Sequence, residues 1–514
     1  MIYSYTIIFC QIDFQIFLIA TFLDEIMLFN TPEFIIFFVI VLSVISIVKM
    51  RLFQHLFLLV ASYSFFYFSS NYLVTLLIFS TLLDFYVGKL IFETNSKKRK
   101  KILLISTLAG NLGLLGFFKY VDFGISQINQ LTNTLGFSEI PALELILPIG
   151  ISFYTFQTIS YTVDIYRGKL TPSKSLTEFA LFVSFFPQLV AGPILRASEF
   201  LPQLREKISK DHFTSKLRTI TIHDTSLRIG ITLMAMGFFK KMFFADNIAP
   251  MVDEIFSAPY GLESFSVVLG AIAFGVQIYC DFSGYSDIAI GAAMILGFHI
   301  PANFNKPYFA TSPVDFWRRW HISLSSWLRD YLYIPLGGNK KGKTRTYVNL
   351  ITVMLLGGLW HGASWNFVIW GLMHGVFLAI QKLITNTFPQ LNNYTFTKKR
   401  HIKIISILIT QYFVFMAWLV FRVEDIDALQ YVLYKYIIWD FATSSTIFML
   451  SHNKLRIILI FGFFILNYIS YKKNIVEKLS KVKPVYWIGF LIITMTLILF
   501  FYDTTPKDFI YFRF

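Results

Sequence analysis

Apolar residues fill long blocks of this chain from end to end, and polar residues gather in short clusters between them. Blocks long enough to span a bilayer recur throughout, which predicts an integral membrane protein with many crossings. Placed by hydropathy, the spans fall at 34–48, 53–69, 71–91, 102–120, 146–164, 229–248, 265–298, 347–362, 365–383, 403–421, 455–471 and 485–502. The segment 265–298 is long enough for a span plus a broken piece. The expected architecture is all-α and polytopic, with about eleven transmembrane helices and one or two re-entrant or interfacial pieces. The clearest re-entrant candidate is "FVSFFPQLVAGPILR", where Pro187, Gly192 and Pro193 break any helix. Broken backbone at membrane depth is tolerated only where protein buries it or it lines a cavity. No internal repeat, heptad or soluble domain interrupts the pattern, so residues 27–514 read as one membrane domain.

Composition agrees with the pattern. Of 514 residues, 55% are hydrophobic, 18% aromatic and only 15% charged, where a soluble domain carries about 25% charged residues. The net charge of +15 raises the question of a nucleic-acid partner. The basic residues, however, sit in short loops: Lys49/Arg51, Lys97–Lys101, Arg167/Lys169, Arg205–Lys210, Arg318–Arg345, Lys398–Lys403 and "KKNIVEKLSKVK". Most fall on one side of the span list if 176–195 does not cross, while loops 121–145, 249–263 and 424–452 are acidic or nearly uncharged. This positive-inside pattern assigns the basic face to the cytoplasm and argues against nucleic acid.

Cys10 and Cys280 lie far apart in apolar surroundings, which supports neither a disulfide framework nor a metal site. Residues 1–26 are apolar but short, contain Asp13, and lack a basic leader and a small-residue cleavage site. They are expected to be a misassigned start or a dispensable extension, with Met27 the natural start.

Three constellations carry polar chemistry. In "GGLWHGASWNFVIWGLMHG", His361 follows a span and therefore lies deep in the membrane or near its outer face. A lone histidine there can simply glue helices together. Here Trp360, Gly362, Ser364, Trp365 and Asn366 cluster around it, which favours a functional site. A histidine must be neutral to act as a general base, and a low-dielectric surrounding favours that form. His374, in the returning helix, reads as structural.

The second constellation, Phe304 to Arg345, mixes aromatics with Asp315, Arg318, Arg319, His321, Arg329 and Asp330. It reads either as an interfacial anchor or as a surface where Arg318 and Arg319 bind an anionic cytosolic ligand. In the third, Asp281 and Asp287 lie within an apolar segment. An ion path is one reading. The favoured one makes Asp281 or Ser283 the N-cap of a helix starting near Gly284, with Asp287 in its first turn. No nucleophile elbow, phosphate-binding loop or zinc spacing is present.

"FWRRWHISLSSWLRDYLYIPLGGN", followed by "GGLWHGASWNFVIWGLMHG", closely resembles the membrane-bound O-acyltransferases, and within them the branch concerned with alginate O-acetylation. "LPIGISFYTFQTISYTVDIYRG", "FFPQLVAGPILR", "FADNIA", "YCDFSGYSDIAIGAAMILGF", "NFNKPY" and the terminal "DFIYFRF" extend the resemblance along nearly the whole chain from Met27. It implies a multi-helix bundle around a tunnel, with shorter tilted helices at the cytoplasmic side. It also implies that His361 is the catalytic histidine and His321 the second functional one.

On that basis an acyl donor, acetyl-CoA as a substrate rather than a bound cofactor, is expected to dock near Arg318, Arg319, Trp320 and Asn305. Trp360, Trp365 and Asn366 are expected to line the tunnel, with no metal, and His361 to act as general base. The expected acceptor is an extracytoplasmic glycan, reached through a separate acetylesterase-like partner protein, with the enzyme in the bacterial cytoplasmic membrane and in contact with lipid. Two alternatives are D-alanyl transfer to teichoic acid and, in another class, a transporter or channel. A transporter would usually carry inverted repeats with matched broken helices, and none is found.

Overall fold

Pro32 opens the first helix of the described residues, where its missing N–H costs no hydrogen bond and its fixed φ suits the turn. The structure is a computed structural model and describes residues 27–189, 192–205, 217–392, 399–502 and 509–510. The expectation for residues 1–26 lies outside the described residues. Helix α1 (Pro32–Ile47) is followed by α2 (Arg51–Ser70) and α3 (Val74–Glu93). One apolar stretch contains α2 and α3, and it breaks where Asn71 takes a left-handed φ of 53°. Next comes α4 (Lys97–Asn133), whose N-cap Ser96 accepts from the backbone N–H of Arg99 at 3.4 Å.

Helices α5 (Ile151–Tyr166), α6 (Leu176–Ser184), α7 (Phe186–Leu189) and α8 (Ala197–Leu204) follow. With 9 and 4 residues, α6 and α7 reach only roughly 13 and 6 Å. They cannot cross a bilayer. Both are buried in the bundle, as a re-entrant piece requires. Helix α9 (Asp224–Phe238) runs through a π-helical stretch, Phe239–Ala245, into α10 (Asp246–Ser257). The long α11 (Ser264–Ile295) then leads to two short helices, α12 (Pro313–Trp317) and α13 (Ile322–Leu328). A hairpin follows, α14 (Lys343–His361) and α15 (Trp365–Thr387). The remaining helices are α16 (Arg400–Arg422), α17 (Ile426–Ile437), α18 (Ser444–His452), α19 (Lys454–Lys472), α20 (Ile475–Lys481) and α21 (Pro484–Phe500).

Six helical stretches among the described residues are long and apolar enough to cross a membrane: Arg51–Glu93, Lys97–Asn133, Ser264–Ile295, Trp365–Thr387, Arg400–Arg422 and Lys454–Lys472. The shorter α1 and α21 are also apolar. The expected spans 146–164, 229–248 and 347–362 are helical but of a different kind. They are shorter than a full span, as in α5, or carry lysines and arginines, as around Lys240 and at the start of α14. A helix enclosed by other helices has no need of an apolar surface. Accordingly α5 buries 14 of its 16 residues, polar ones included. The outer helices show lipid the opposite face: Ile36, Val39 and Ile40 of α1 and Phe461 and Ile465 of α19 are exposed.

Two buried carboxylates show how charge inside the bundle is met. Asp84 of α3 accepts from Thr107 Oγ1 at 2.5 Å and Asn111 Nδ2 at 2.7 Å, both on α4. Arg205, just after α8, forms an ion pair with Glu178 of α6, both nearly inaccessible to solvent.

One expectation is corrected here. Helix α11 is unbroken from Ser264 to Ile295, so neither Asp281 nor Ser283 caps a helix. Asp281 pairs with Lys241 at 2.7 Å and Asp287 with Lys240 at 2.6 Å. The lysines come from the π-helical stretch packed alongside and neutralise the acids across the helix pair. Asp281 also accepts from the backbone N–H of Ile510 at 2.7 Å, tying the end of the described chain into the core.

Candidate active site

Ser312 caps α12 by accepting from Asp315 N at 3.2 Å, and the chain then turns sharply at His321. His321 has φ 42° and ψ 57°, a left-handed conformation that costs a bulky residue about 1–3 kcal/mol. Asn303 holds it there. Its backbone carbonyl accepts from Ile322 N at 2.9 Å, and its side-chain Oδ1 accepts from Ser323 N at 3.2 Å and Ser323 Oγ at 2.9 Å. His321 Nδ1 lies 3.2 Å from the same Oδ1. The backbone N–H of Ser323 fixes the amide's orientation, since only an oxygen can accept there. His321 Nδ1 must therefore carry a proton, and Nε2 is the acceptor nitrogen of the neutral ring. The ring is fully buried, with Phe282 edge-on at 4.7 Å.

His361 is the last residue of α14, and Gly362 leaves the helix in extended conformation. The carbonyls at such an end lack intrahelical partners. Two of them, Trp360 O and His361 O, accept from Lys119 Nζ at 2.8 Å each, and Leu359 O accepts from Tyr120 OH at 2.6 Å. The His361 ring is enclosed by Trp360, Trp370 and Phe421 at 5.1, 4.9 and 5.4 Å. Close packing of α14 on α15 makes this possible. A Cβ on Gly358 would come 2.2 Å from Phe367 O, and one on Gly371 would come 2.5 Å from Met354 O. Small residues at such a crossing let two backbones touch.

Trp360 joins the two histidines, its ring 6.0 Å from His321 and 5.1 Å from His361. The alternation continues beyond. Trp370 lies 4.6 Å from His374, and Trp317 Nε1 donates to His374 Nδ1 at 3.3 Å. His374 stacks on Phe316 at 6.0 Å and is 2% exposed. Three histidines and three tryptophans thus form one buried row, running from His321 to Trp317. The indole N–H groups of Trp360 and Trp370 and Nε2 of His374 have no hydrogen-bond partner among the described residues. Buried donors in that state are what a polar ligand or ordered water would satisfy.

Below this row, at the basic end of α14, opens a cavity of 1570 Å³. Arg318, Arg319, Arg329, Lys382 and Lys403 lie on its wall, with Asp315 its one acidic residue. Arg319 is paired with Asp315 at 2.8 Å, while Arg318 is exposed. Trp317, Val353, Met354 and Leu378 form the inner end of the cavity. Helix α14 climbs from Val353 to His361, a rise of roughly 12 Å.

The other residues singled out from sequence fall elsewhere. Trp320 is buried against Trp418 at 4.8 Å and Phe304 at 5.0 Å, so it packs the core and is not on the cavity wall. Asn305 is exposed; its backbone N–H donates to Arg319 O at 2.8 Å. Trp365 is 50% exposed and donates to Gln127 Oε1 at 2.8 Å, which sets it at the surface, outside the buried row. Asn366 is buried and gives one N–H to Phe421 O at 3.2 Å, beside the His361 ring. Asn303, Lys119 and the Lys240–Lys241 pair escaped the sequence reading. For the lysines, the signal was a charge inside an apolar block. Among the described residues, no group of three or more His, Cys, Asp or Glu side chains is arranged to hold a metal.

A row of buried histidines and tryptophans inside a bundle of apolar helices, with a basic cavity along the same helix α14, suits a membrane enzyme. Residues 171–424 match the model of the membrane-bound O-acyltransferase family. The chain belongs to that family and is a multi-pass membrane O-acyltransferase. It is 39% identical over 403 residues to the probable alginate O-acetylase AlgI of Pseudomonas syringae pv. tomato, covering 78% of this chain and 73% of that protein. To the peptidoglycan O-acetyltransferase of Helicobacter pylori it is 37% identical over 435 residues, 78% of each chain. The teichoic acid D-alanyltransferase of Bacillus subtilis is more distant, 29% identical over 294 residues, which cover 55% of this chain and 70% of that protein.

Proposed function

We propose that this enzyme transfers acetyl groups from cytoplasmic acetyl-CoA to a polysaccharide on the far side of the bacterial cytoplasmic membrane. The observation that carries this reading is the placement of His361 and His321 on either side of Trp360, above a cavity walled by five cations and one acid. The phosphates of the donor suit that wall, since guanidinium and ammonium groups bind them by charge-assisted hydrogen bonds. The thioester arm then extends inward past Trp317 toward His361.

The acceptor hydroxyl gives its proton to a ring nitrogen of His361 as its oxygen attacks the thioester carbon. The C–S bond breaks, the acetyl ester forms, and the thiolate leaves with the proton returned by His361. His321, with Nε2 held as an acceptor by Asn303, orients or polarises the reacting groups. Apolar and aromatic walls exclude water, which limits wasteful thioester hydrolysis.

The relatives named for alginate and for peptidoglycan favour a glycan acceptor. The acceptor is reached through a separate acetylesterase-like partner protein. A second reading, D-alanyl transfer from an aminoacylated carrier, is favoured by the relatives named for teichoic acid. Reconstitution with labelled acetyl-CoA, the acetylesterase-like partner and alginate or peptidoglycan oligosaccharides separates the two. Saturable acetyl transfer that is lost in His361→Ala is the expected result. Equal rates for wild type and variant would remove His361 from the chemistry, and label transfer only from an aminoacylated carrier would favour the second reading.

A further inference from the structure

Helix α4 is 37 residues long yet buries only Thr107, Asn111 and Leu115. All three lie at or before its midpoint, and of its far half Phe118 and Tyr120 pack partly buried against the core. Asp122 and Asn129 tie that far half to the backbone of Ile140, Leu143 and Leu145, and its other anchor is the turn that ends α14 and begins α15. Lys119 Nζ donates to Trp360 O and His361 O, and Tyr120 OH donates to Leu359 O. One helical turn further, Phe123 packs edge-on to Trp365 at 5.9 Å, and Gln127 accepts from the Trp365 indole. Both sides of the Gly362–Ser364 turn are thereby gripped from a single helix.

The need for such a grip follows from the position of His361. A residue at the end of a helix has no following turn to hold its backbone, and Gly362 removes any side-chain constraint. Trp360 and His361 are buried, so leaving the carbonyls of this helix end unsatisfied is costly. Without outside donors this end would fray and carry the imidazole with it.

We infer that Lys119 and Tyr120 are positioning residues for the reaction: they fix the helix end that carries Trp360 and His361. The inference rests on His361 being the catalytic base. Both side chains act through backbone carbonyls and touch no reacting atom. Their loss should lower kcat, because a misplacement of about 1 Å can cost on the order of a hundredfold in rate. The donor cavity, at the other end of α14, should be unaffected.

The test measures kcat and KM for labelled acetyl-CoA in proteoliposomes, with the acetylesterase-like partner present and alginate or peptidoglycan oligosaccharides as acceptor, normalised to folded protein. Tyr120→Phe keeps the ring and removes one donor; Lys119→Met removes two. Each is expected to lower kcat about tenfold or more, with KM for acetyl-CoA within about twofold of wild type. Lys119→Arg, which can still donate to both carbonyls, should recover part of the loss. Thr107→Val, which weakens the Asp84 contact on the same helix, should reduce thermal stability but leave kcat per folded molecule near wild type. If Lys119→Met does not fold, Tyr120→Phe decides alone. Wild-type kcat in the variants, or a raised KM at unchanged kcat, overturns the inference while leaving the acetyl-transfer reading intact. Failure of wild type to transfer acetyl to either acceptor overturns that reading and takes this one with it.

Discussion

Asn303 Oδ1 receives three groups at once: the Ser323 N–H and hydroxyl, and Nδ1 of His321 at 3.2 Å. The first contact sets the amide and the third sets the imidazole tautomer. Replacing Asn303 by Leu should leave His321 in place by packing but free to present the wrong nitrogen. Mis-set tautomers have cost other enzymes about 10⁴-fold; with His321 in the supporting role, about a hundredfold loss of kcat is expected. Assays of acetyl transfer by Asn303→Leu and His321→Ala check this. A variant at Asn303 with full activity would show that the tautomer does not matter.

Gly358 and Gly371 predict an asymmetry among glycine substitutions. Gly358→Ala pushes a methyl into Phe367 O and the Gly371 backbone, so α14 and α15 must part. Overpacking of this kind typically costs about 1–3 kcal/mol, and a backbone neighbour leaves little room for relief. Gly113→Ala, where an added Cβ meets nothing within 4 Å, should stay within about 1 kcal/mol of wild type. Melting temperatures in detergent, read by size-exclusion recovery after heating, would show equal behaviour if the close contact is not formed.

The Arg205–Glu178 pair should matter for folding and not for chemistry. Removing one partner of a buried ion pair leaves a charge without its counterion and costs about 3–5 kcal/mol. Glu178→Ala is expected to lower thermal stability sharply, with near-normal kcat for whatever fraction folds. A large kcat change in the folded fraction would place this pair in the reaction pathway.

Cations on the cavity wall should act on donor affinity. Arg318→Ala and Lys382→Ala are expected to raise KM for acetyl-CoA by about two- to fivefold each, at unchanged kcat. The difference from wild type should shrink as salt rises, because exposed charges are screened. Steady-state kinetics at low and high ionic strength provide the measurement. A kcat effect from Arg318 would move it from the mouth of the cavity to the reacting centre.

The burial of His361 was legible from the apolar block around it, whereas the roles proposed for His361 and His321 came from the family motif. Asn303 was not legible, since its role depends on a loop folding back beneath a residue 18 positions later. Lys240 and Lys241 were passed over for a different reason. They fall inside the span placed at 229–248 and were not weighed as charges at all, although the rule that flagged Asp281 and Asp287 applies equally to lysines. With the lysines in view, the acids would have been read as halves of ion pairs instead of helix caps. Trp320 shows the limit of reading motifs as surfaces: three residues after Trp317 on a tight turn, it is buried in the core and packs tilted against Trp418. The apolar blocks located the helices well. What they could not separate was a helix facing lipid from one, such as α5, enclosed on every side.

The contact between Gly358 and Gly371 makes α14 and α15 a single stiff beam. Its lower part walls the cavity at Val353, Met354 and Leu378, and its upper end holds His361. On the proposed reading the beam is a ruler. A donor anchored by its phosphates at the cavity mouth delivers its thioester to His361 only if its arm spans the fixed interval between them. Selection then acts on the length of the carrier as well as on the group it carries, and a shortened thioester with the same acetyl group should be a poor substrate.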